Sequence, residues 1–117
     1  MTADLNDFLQ RYADEVYHAR DAQAAARFIA DPCVRHEHGH LVTMSLADNI
    51  ARIESFFERA REMSFSPALN VSDGEHIACA YEIAAGDQTM SGIEIFRVVD
   101  GKIVETWTST IQPGGWG

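Results

Sequence analysis

The chain has 117 residues, of which 46% are hydrophobic and 23% are charged, and these figures predict one globular domain over residues 1–117. A formal charge of −9 argues against a nucleic-acid partner and against an anionic membrane surface. The acidic, amphipathic N-terminal stretch and the lack of a long apolar run predict neither a targeting nor a membrane segment, so we expect a cytoplasmic protein.

The first half of the chain predicts three helices and one strand. Apolar residues at a spacing of three to four predict a helix over 4–19, with Thr2 or Asp4 as its cap. A short helix with a small-residue face follows over 21–32, and Pro32 is expected to end it. The segment 33–42 predicts a strand that leads into a loop, and a third helix is expected over 45–62.

The second half predicts strands that are separated by Asp-Gly and Gly-Asp turns. The four expected strands cover 64–72, 76–85, 89–99 and 102–111. The order α-α-β-α-β-β-β-β is typical of an α+β fold, here a curved antiparallel sheet wrapped around helices to enclose a pocket. Because the strand at 89–99 is apolar on both faces, helices are expected on one face and a second subunit on the other, which predicts a homodimer.

Two stretches resemble a known family. ARFIADPCVRHEHG, residues 26–39, resembles the segment of SnoaL-like proteins in which an aspartate, a strand and a histidine-acid pair follow one another. IFRVVDGKIVETW, residues 95–107, is similar to their penultimate hairpin. The chain is therefore identified as a single SnoaL-like domain of the nuclear transport factor 2-like superfamily, the cystatin-like α+β cone. This resemblance implies a fold shared by ketosteroid isomerases, polyketide cyclases and non-enzymatic binding domains.

Glu94 is the first candidate catalytic residue. It shares a strand face with Met90, Phe96 and Val98, and an apolar face favours the neutral carboxyl, which can act as a general acid. Similarity to the ketosteroid isomerases places Glu94 where those enzymes hold a protonated oxyanion-hole aspartate. The alternative is a glutamate at a solvated rim or one that is paired with an arginine.

The HEHGH segment supplies the other candidates for acid/base chemistry. The same resemblance aligns Glu37 with a general-base aspartate, and His36 is a second possible base. In an extended strand His36, His38 and His40 lie on one face and Glu37 on the other, so the two assignments compete. Three imidazoles at this spacing are also compatible with a metal site, although we expect no native metal.

Further residues are expected to line the pocket and bind substrate. The ketosteroid isomerases place an oxyanion-hole tyrosine on the first helix, but the aligned residue here is Ala13, between Tyr12 and Tyr17. The last long strand lacks the acid that SnoaL-type cyclases carry and has threonines instead. The expected substrate-binding residues are Tyr12, Tyr17, His38, Phe57, Tyr81, Phe96, Thr106, Thr108 and Trp116.

These residues favour a small cofactor-free acid/base enzyme that acts on an apolar, carbonyl-bearing molecule by isomerisation, dehydration or cyclisation. Glu37 or His36 would remove a proton next to the carbonyl, and Glu94 would stabilise the enolate or return the proton. Two alternatives stay open: a non-catalytic small-ligand-binding domain, and a metal-dependent enzyme that uses the histidines.

Overall fold

A computed structural model describes residues 4–117 and places three helical segments against one sheet. The first helix, α1, covers Leu5–Tyr12 and continues without a break as a π-helical segment over Ala13–His18. Asp4 caps α1 by accepting a hydrogen bond from the backbone N–H of Asn6, whereas Thr2 lies outside the described residues. A 3₁₀-helix covers Ala22–Arg27, and the second α-helix, α2, covers Leu46–Arg59 with Ser45 as its N-cap.

The sheet contains seven strands in the described part of the chain. They are β1 (Ile29–Glu37), β2 (His40–Met44), β3 (Ser64–Ser72), β4 (His76–Ala85), β5 (Gln88–Val99), β6 (Lys102–Thr108) and β7 (Gln112–Pro113). Six of them follow the spatial order β2-β1-β6-β5-β4-β3, and the short β7 pairs with β5. The sheet curves around the helices without closing into a barrel, which confirms the predicted α+β cone.

One predicted strand direction and several predicted element boundaries are wrong. The predicted antiparallel sheet is mixed, because β1 runs parallel to β6. The second helix ends at Arg27 rather than at Pro32, since β1 already begins at Ile29 and contains Pro32. The predicted strand over 33–42 is two strands joined by a turn at Gly39, whose φ of 78° suits glycine. The strand predicted over 102–111 ends at Thr108.

The core lies between the helices and the concave face of the sheet. Side chains alternate along β4, so that Ile77, Cys79, Tyr81 and Ile83 point inward to the helices. The buried faces of α1 and α2 meet them, through residues such as Phe8 and Ile53. No helix among residues 4–117 has the length and apolar character needed to cross a membrane.

Candidate active site

The concave face encloses a small polar chamber at the centre of the fold, which we call the inner chamber. Its volume is about 30 Å³. Strands β1, β5 and β6, the first helix and α2 all contribute to its wall. The inner chamber is lined by Tyr12, Tyr17, Ile29, Cys33, Arg35, Asn49, Arg52, Glu94, Phe96, Ile103 and Thr106.

A larger cavity of about 240 Å³, which we call the vestibule, shares four of these residues. Its other walls are mostly aromatic or aliphatic, and the exposed Ile111 lies at its edge. The vestibule is lined by Tyr17, Arg35, Arg52, Phe56, Arg59, Phe65, Tyr81, Ile83, Glu94, Thr108 and Ile111. The two cavities together offer a polar end and an apolar body, which is a common arrangement for binding a small organic molecule.

Glu94 is the one carboxyl group, among the described residues, that lines either cavity. It points inward from the middle of β5, and its Oε2 accepts a hydrogen bond of 2.8 Å from the hydroxyl of Thr108 on β6. Its surroundings are less apolar than the strand pattern suggested, because Arg35 and Arg52 line the same cavities. A carboxylate at this position can accept a proton, and the Thr108 hydroxyl holds one of its oxygens in place.

Arg35 and Arg52 are functional candidates that the sequence analysis missed. Arg35 is a buried residue of β1, and its Nε and Nη2 donate to Glu37 Oε2 at 3.4 and 3.3 Å. Arg52, on α2, donates from Nε and Nη2 to Asn49 Oδ1 at 3.3 and 3.2 Å. Burial alone would lower the pKa of Arg52, but Tyr17, Tyr12 and Glu94 reverse this effect and raise it.

The two tyrosines of the first helix both line the inner chamber. Their rings pack edge to face with centroids 5.5 Å apart. Burial, together with the neighbouring Tyr17, raises the pKa of Tyr12 well above its ordinary value, so its hydroxyl keeps its proton. The predicted oxyanion-hole position, Ala13, is buried and is flanked in the chain by a tyrosine that lines the inner chamber.

His36 lies on the opposite, convex side of the sheet. Its ring stacks on Trp107 at a centroid distance of 4.8 Å, and its Nε2 lies 2.6 Å from Glu105 Oε2. This hydrogen bond lowers the pKa of Glu105. His36 therefore does not converge with Glu94, because alternation along β1 turns Arg35 inward and His36 outward.

Glu37 and His38 lie at the end of β1 and in the turn that follows. The Glu37 carboxylate holds Arg35, but Glu37 lines a groove on the convex side rather than either interior cavity. His38 is exposed in the turn, and His40 begins β2 opposite Glu37. Within residues 4–117 no three metal-ligating side chains come together, since the turn at Gly39 separates the histidines.

Of the six remaining predicted substrate-binding residues, four line one of the two cavities and two line neither. Phe96 and Thr106 line the inner chamber, while Tyr81 and Thr108 line the vestibule. Phe57 is buried behind Tyr17, with ring centroids 5.9 Å apart. Trp116 lines neither cavity, because its indole N–H donates to the carbonyl oxygen of Tyr81 on the β4 backbone.

The sequence matches the SnoaL-like domain family over residues 9–106, so the chain belongs to the SnoaL-like family. Among curated protein sequences, none matches it significantly. The structure is similar to that of a SnoaL-like polyketide cyclase from Agrobacterium tumefaciens, with a TM-score of 0.79 and 15% identity over 94% of this chain and 92% of the other.

Two further solved structures share the fold. One is a protein from Acidithiobacillus ferrooxidans provisionally named a polyketide cyclase, with a TM-score of 0.77 and 16% identity over 87% of this chain and 84% of the other. The second, from Kribbella flavida, is provisionally named a ketosteroid isomerase, with a TM-score of 0.69 and 17% identity over 95% and 78% of the two chains. At these identities the likeness establishes the fold alone.

Proposed function

We propose that the protein is a small acid/base enzyme of isomerase or cyclase type that acts on a carbonyl-bearing molecule bound in the vestibule. The observation that carries this proposal is the position of Glu94, the one carboxyl group lining the two cavities in the described part of the chain. Membership of the SnoaL-like family and the provisional names of the structural neighbours support the same reaction class.

In this proposal the Glu94 carboxylate removes a proton from the carbon next to the substrate carbonyl. The C–H electron pair becomes part of an enolate, and Glu94 becomes a neutral carboxylic acid. An isomerase then returns this proton to another carbon. In a cyclase the enolate carbon attacks a second carbonyl carbon, and the Glu94 proton passes to the alkoxide oxygen that this attack creates. The Thr108 hydroxyl, which donates to Glu94 Oε2, orients the carboxylate for either transfer.

The enolate oxygen needs hydrogen-bond donors that are already in place. We assign this role to the phenolic hydroxyl of Tyr17 and to Arg35, which line both the inner chamber and the vestibule. Proton transfer and stabilisation of an oxyanion are chemistry that these side chains supply themselves, so the proposed reaction is cofactor-free.

Glu37 and His36 take different places in this proposal from those expected. Glu37 acts through its contact with Arg35 and is thus a positioning residue rather than the base. His36 takes no part in the proton transfer, because it lies on the convex side of the sheet.

The proposal is tested by proton exchange, which is measurable on the substrate itself whatever product forms. The protein is incubated in D₂O with a panel of cyclic ketones and oxo acids, and loss of the proton signal next to the carbonyl is followed by NMR. We expect the wild type to accelerate exchange for at least one compound and Glu94→Gln to slow that exchange by about 10²- to 10⁴-fold.

Glu75→Gln, in the exposed turn before β4, is the matched control and is expected to keep the wild-type rate. Full exchange by Glu94→Gln would overturn the proposal. Binding of panel compounds without any exchange by the wild type would instead favour the non-catalytic binding domain.

We also propose that the protein forms a homodimer through the convex face of the sheet. One row of paired side chains crosses all six main strands on this face, and no helix of the described chain packs over it. The row consists of Val71, Ala78, Ile95, Trp107, His36 and Leu41. Large exposed apolar patches of this kind are typical of protein interfaces.

A further inference from the structure

Arg52 carries a positive charge that no carboxylate neutralises directly. Among residues 4–117 no acidic oxygen lies within 4 Å of its guanidinium, whereas Arg35, Arg97 and Arg27 each have a carboxylate partner within that distance. Its hydrogen-bond partner is instead the neutral amide oxygen of Asn49. Glu94 favours the charged guanidinium without contacting it, so an anionic group in direct contact would gain a charge-assisted hydrogen bond that no carboxylate of residues 4–117 supplies.

The residues around Arg52 present further unused polar atoms. Asn49 is only 1% exposed, and because its Oδ1 accepts from Arg52, its Nδ2 is turned away as a donor with no protein partner. Thr106, 2% exposed on β6, has a hydroxyl that is likewise unpartnered within the described chain. Buried polar atoms are nearly always hydrogen-bonded in native proteins, so these two atoms point to a ligand.

The balance of donors and acceptors identifies the chemistry of that ligand. A guanidinium has five N–H donors and no acceptor, and Asn49 Oδ1 engages only one N–H on each of two nitrogens. Asn49 Nδ2 adds a further donor to the inner chamber. The opposing acceptor, Glu94, already receives a hydrogen bond from Thr108. The inner chamber therefore has an excess of donors and suits an acceptor-rich anion.

The size of the inner chamber distinguishes between anions. A volume of about 30 Å³ holds roughly two water-sized groups, since about 10–15 Å³ of such space accommodates one water. A carboxylate group has two oxygens, which matches this volume. A planar guanidinium can pair with both of these oxygens through two parallel hydrogen bonds. A tetrahedral phosphate monoester, with three terminal oxygens, is too bulky for the same space.

We infer that the substrate is an oxo carboxylic acid whose own carboxylate binds Arg52 and Asn49 in the inner chamber. Its ring or chain lies in the vestibule, between walls such as Phe56, Phe65 and Tyr81. This inference rests on the proposed function, because it specifies the substrate of the same site. It assigns Arg52 to substrate recognition and leaves proton transfer to Glu94.

The inference is tested by titrating 2-naphthoate and the neutral 2-naphthamide into the protein by calorimetry at low salt. We expect the wild type to bind naphthoate about 10- to 100-fold more tightly than naphthamide, the range of a charge-assisted hydrogen bond. Arg52→Gln should remove this preference while its affinity for the amide stays the same. Arg61→Gln, which changes an exposed arginine just after α2 that lines neither cavity, is the matched control and should keep the preference.

Arg52→Lys keeps the positive charge and should retain part of the preference, which covers the case that Arg52→Gln fails to fold. Equal binding of the two probes by the wild type, or an undiminished preference in folded Arg52→Gln, would overturn the inference. Glu94→Gln should bind naphthoate at least as tightly as the wild type, because a neighbouring negative charge is removed. Carboxylate binding without proton exchange would support the carboxylate site at Arg52 but reject the proposed function. Proton exchange without a preference for the carboxylate would support the proposed function but reject the carboxylate site.

Discussion

Positive charge gathers around the vestibule of a protein whose net charge is −9. Three of the eight arginines, Arg35, Arg52 and Arg59, line the vestibule, where Glu94 is the one carboxylate among the described residues. An anionic ligand is thus attracted to the interior although it is repelled by the protein as a whole. Over short distances and at partial burial the local charges dominate, because solvent and salt screen the distant acidic groups.

The sequence predicted part of this site for clear physical reasons. Strand alternation placed Glu94 on the face of Met90 and Phe96, and the structure has all three on the concave side. The same alternation places Arg35 on the inward face with Cys33. In the sequence, however, the neighbouring histidines of HEHGH were the more obvious candidates for acid/base chemistry. Arg52 carried no comparable signal, since a lone arginine on an amphipathic helix is usually solvated.

The side chain of Tyr81, a wall of the vestibule, occupies the space next to Gly92. A Cβ at this position would lie 2.6 Å from Tyr81 Oη and 2.8 Å from Tyr81 Cζ, distances that no packed structure tolerates. We expect Gly92→Ala to displace the Tyr81 ring from its stack on Phe65, which now has a centroid distance of 4.9 Å. Overpacking of this kind costs about 1–3 kcal/mol of stability.

Urea unfolding measures that loss of stability, and naphthoate titration measures the accompanying loss of affinity. Thr89→Ala, an exposed change on the same strand, is the control and should leave both values near those of the wild type. A Gly92→Ala protein with unchanged stability and affinity would show that Tyr81 does not form a wall of the site.

At the scale of elements, the first helix shows why one tyrosine assignment could not be made from spacing. In a regular α-helix two residues five positions apart point about 140° away from each other, at 3.6 residues per turn. Tyr12 and Tyr17 would then lie on different faces. The π-helical segment over Ala13–His18 widens the turn, so that both tyrosines line the inner chamber. π-helical segments are frequent at functional sites, but a single sequence does not reveal them.

The region around β1 shows a second limit of local patterns. Ala22–Arg27 has helical character, but it forms a short 3₁₀-helix because the chain must extend from Ile29 to pair with β6. That pairing joins residues some seventy positions apart, such as His36 and Trp107. No local periodicity encodes such a contact, whereas the strands from β3 to β6 follow one another through short turns and were predicted closely.

At the scale of the whole molecule, the convex face determines the assembly that we propose. Val71 and Ile93 are 62% and 42% exposed, and the Trp107–His36 stack lies beside them. We expect Ile93→Asp to convert the dimer to a monomer, because a second subunit would have to bury the new charge. Sedimentation equilibrium at micromolar concentration measures the mass of each form.

Ala51→Asp, an exposed change on α2, introduces the same charge away from this face and should leave the dimer intact. A wild type that is already monomeric at these concentrations would contradict the proposal.

The central claim is that the inner chamber and the vestibule form the ligand-binding site of the protein. The most direct test is an NMR titration of ¹⁵N-labelled protein with 2-naphthoate, in which both backbone and side-chain amides report. We predict that the largest shifts fall on residues around the two cavities and include the side-chain amide of Asn49. Shifts confined to the convex face around Ile95 and Trp107, with the Asn49 amide unchanged, would contradict the account.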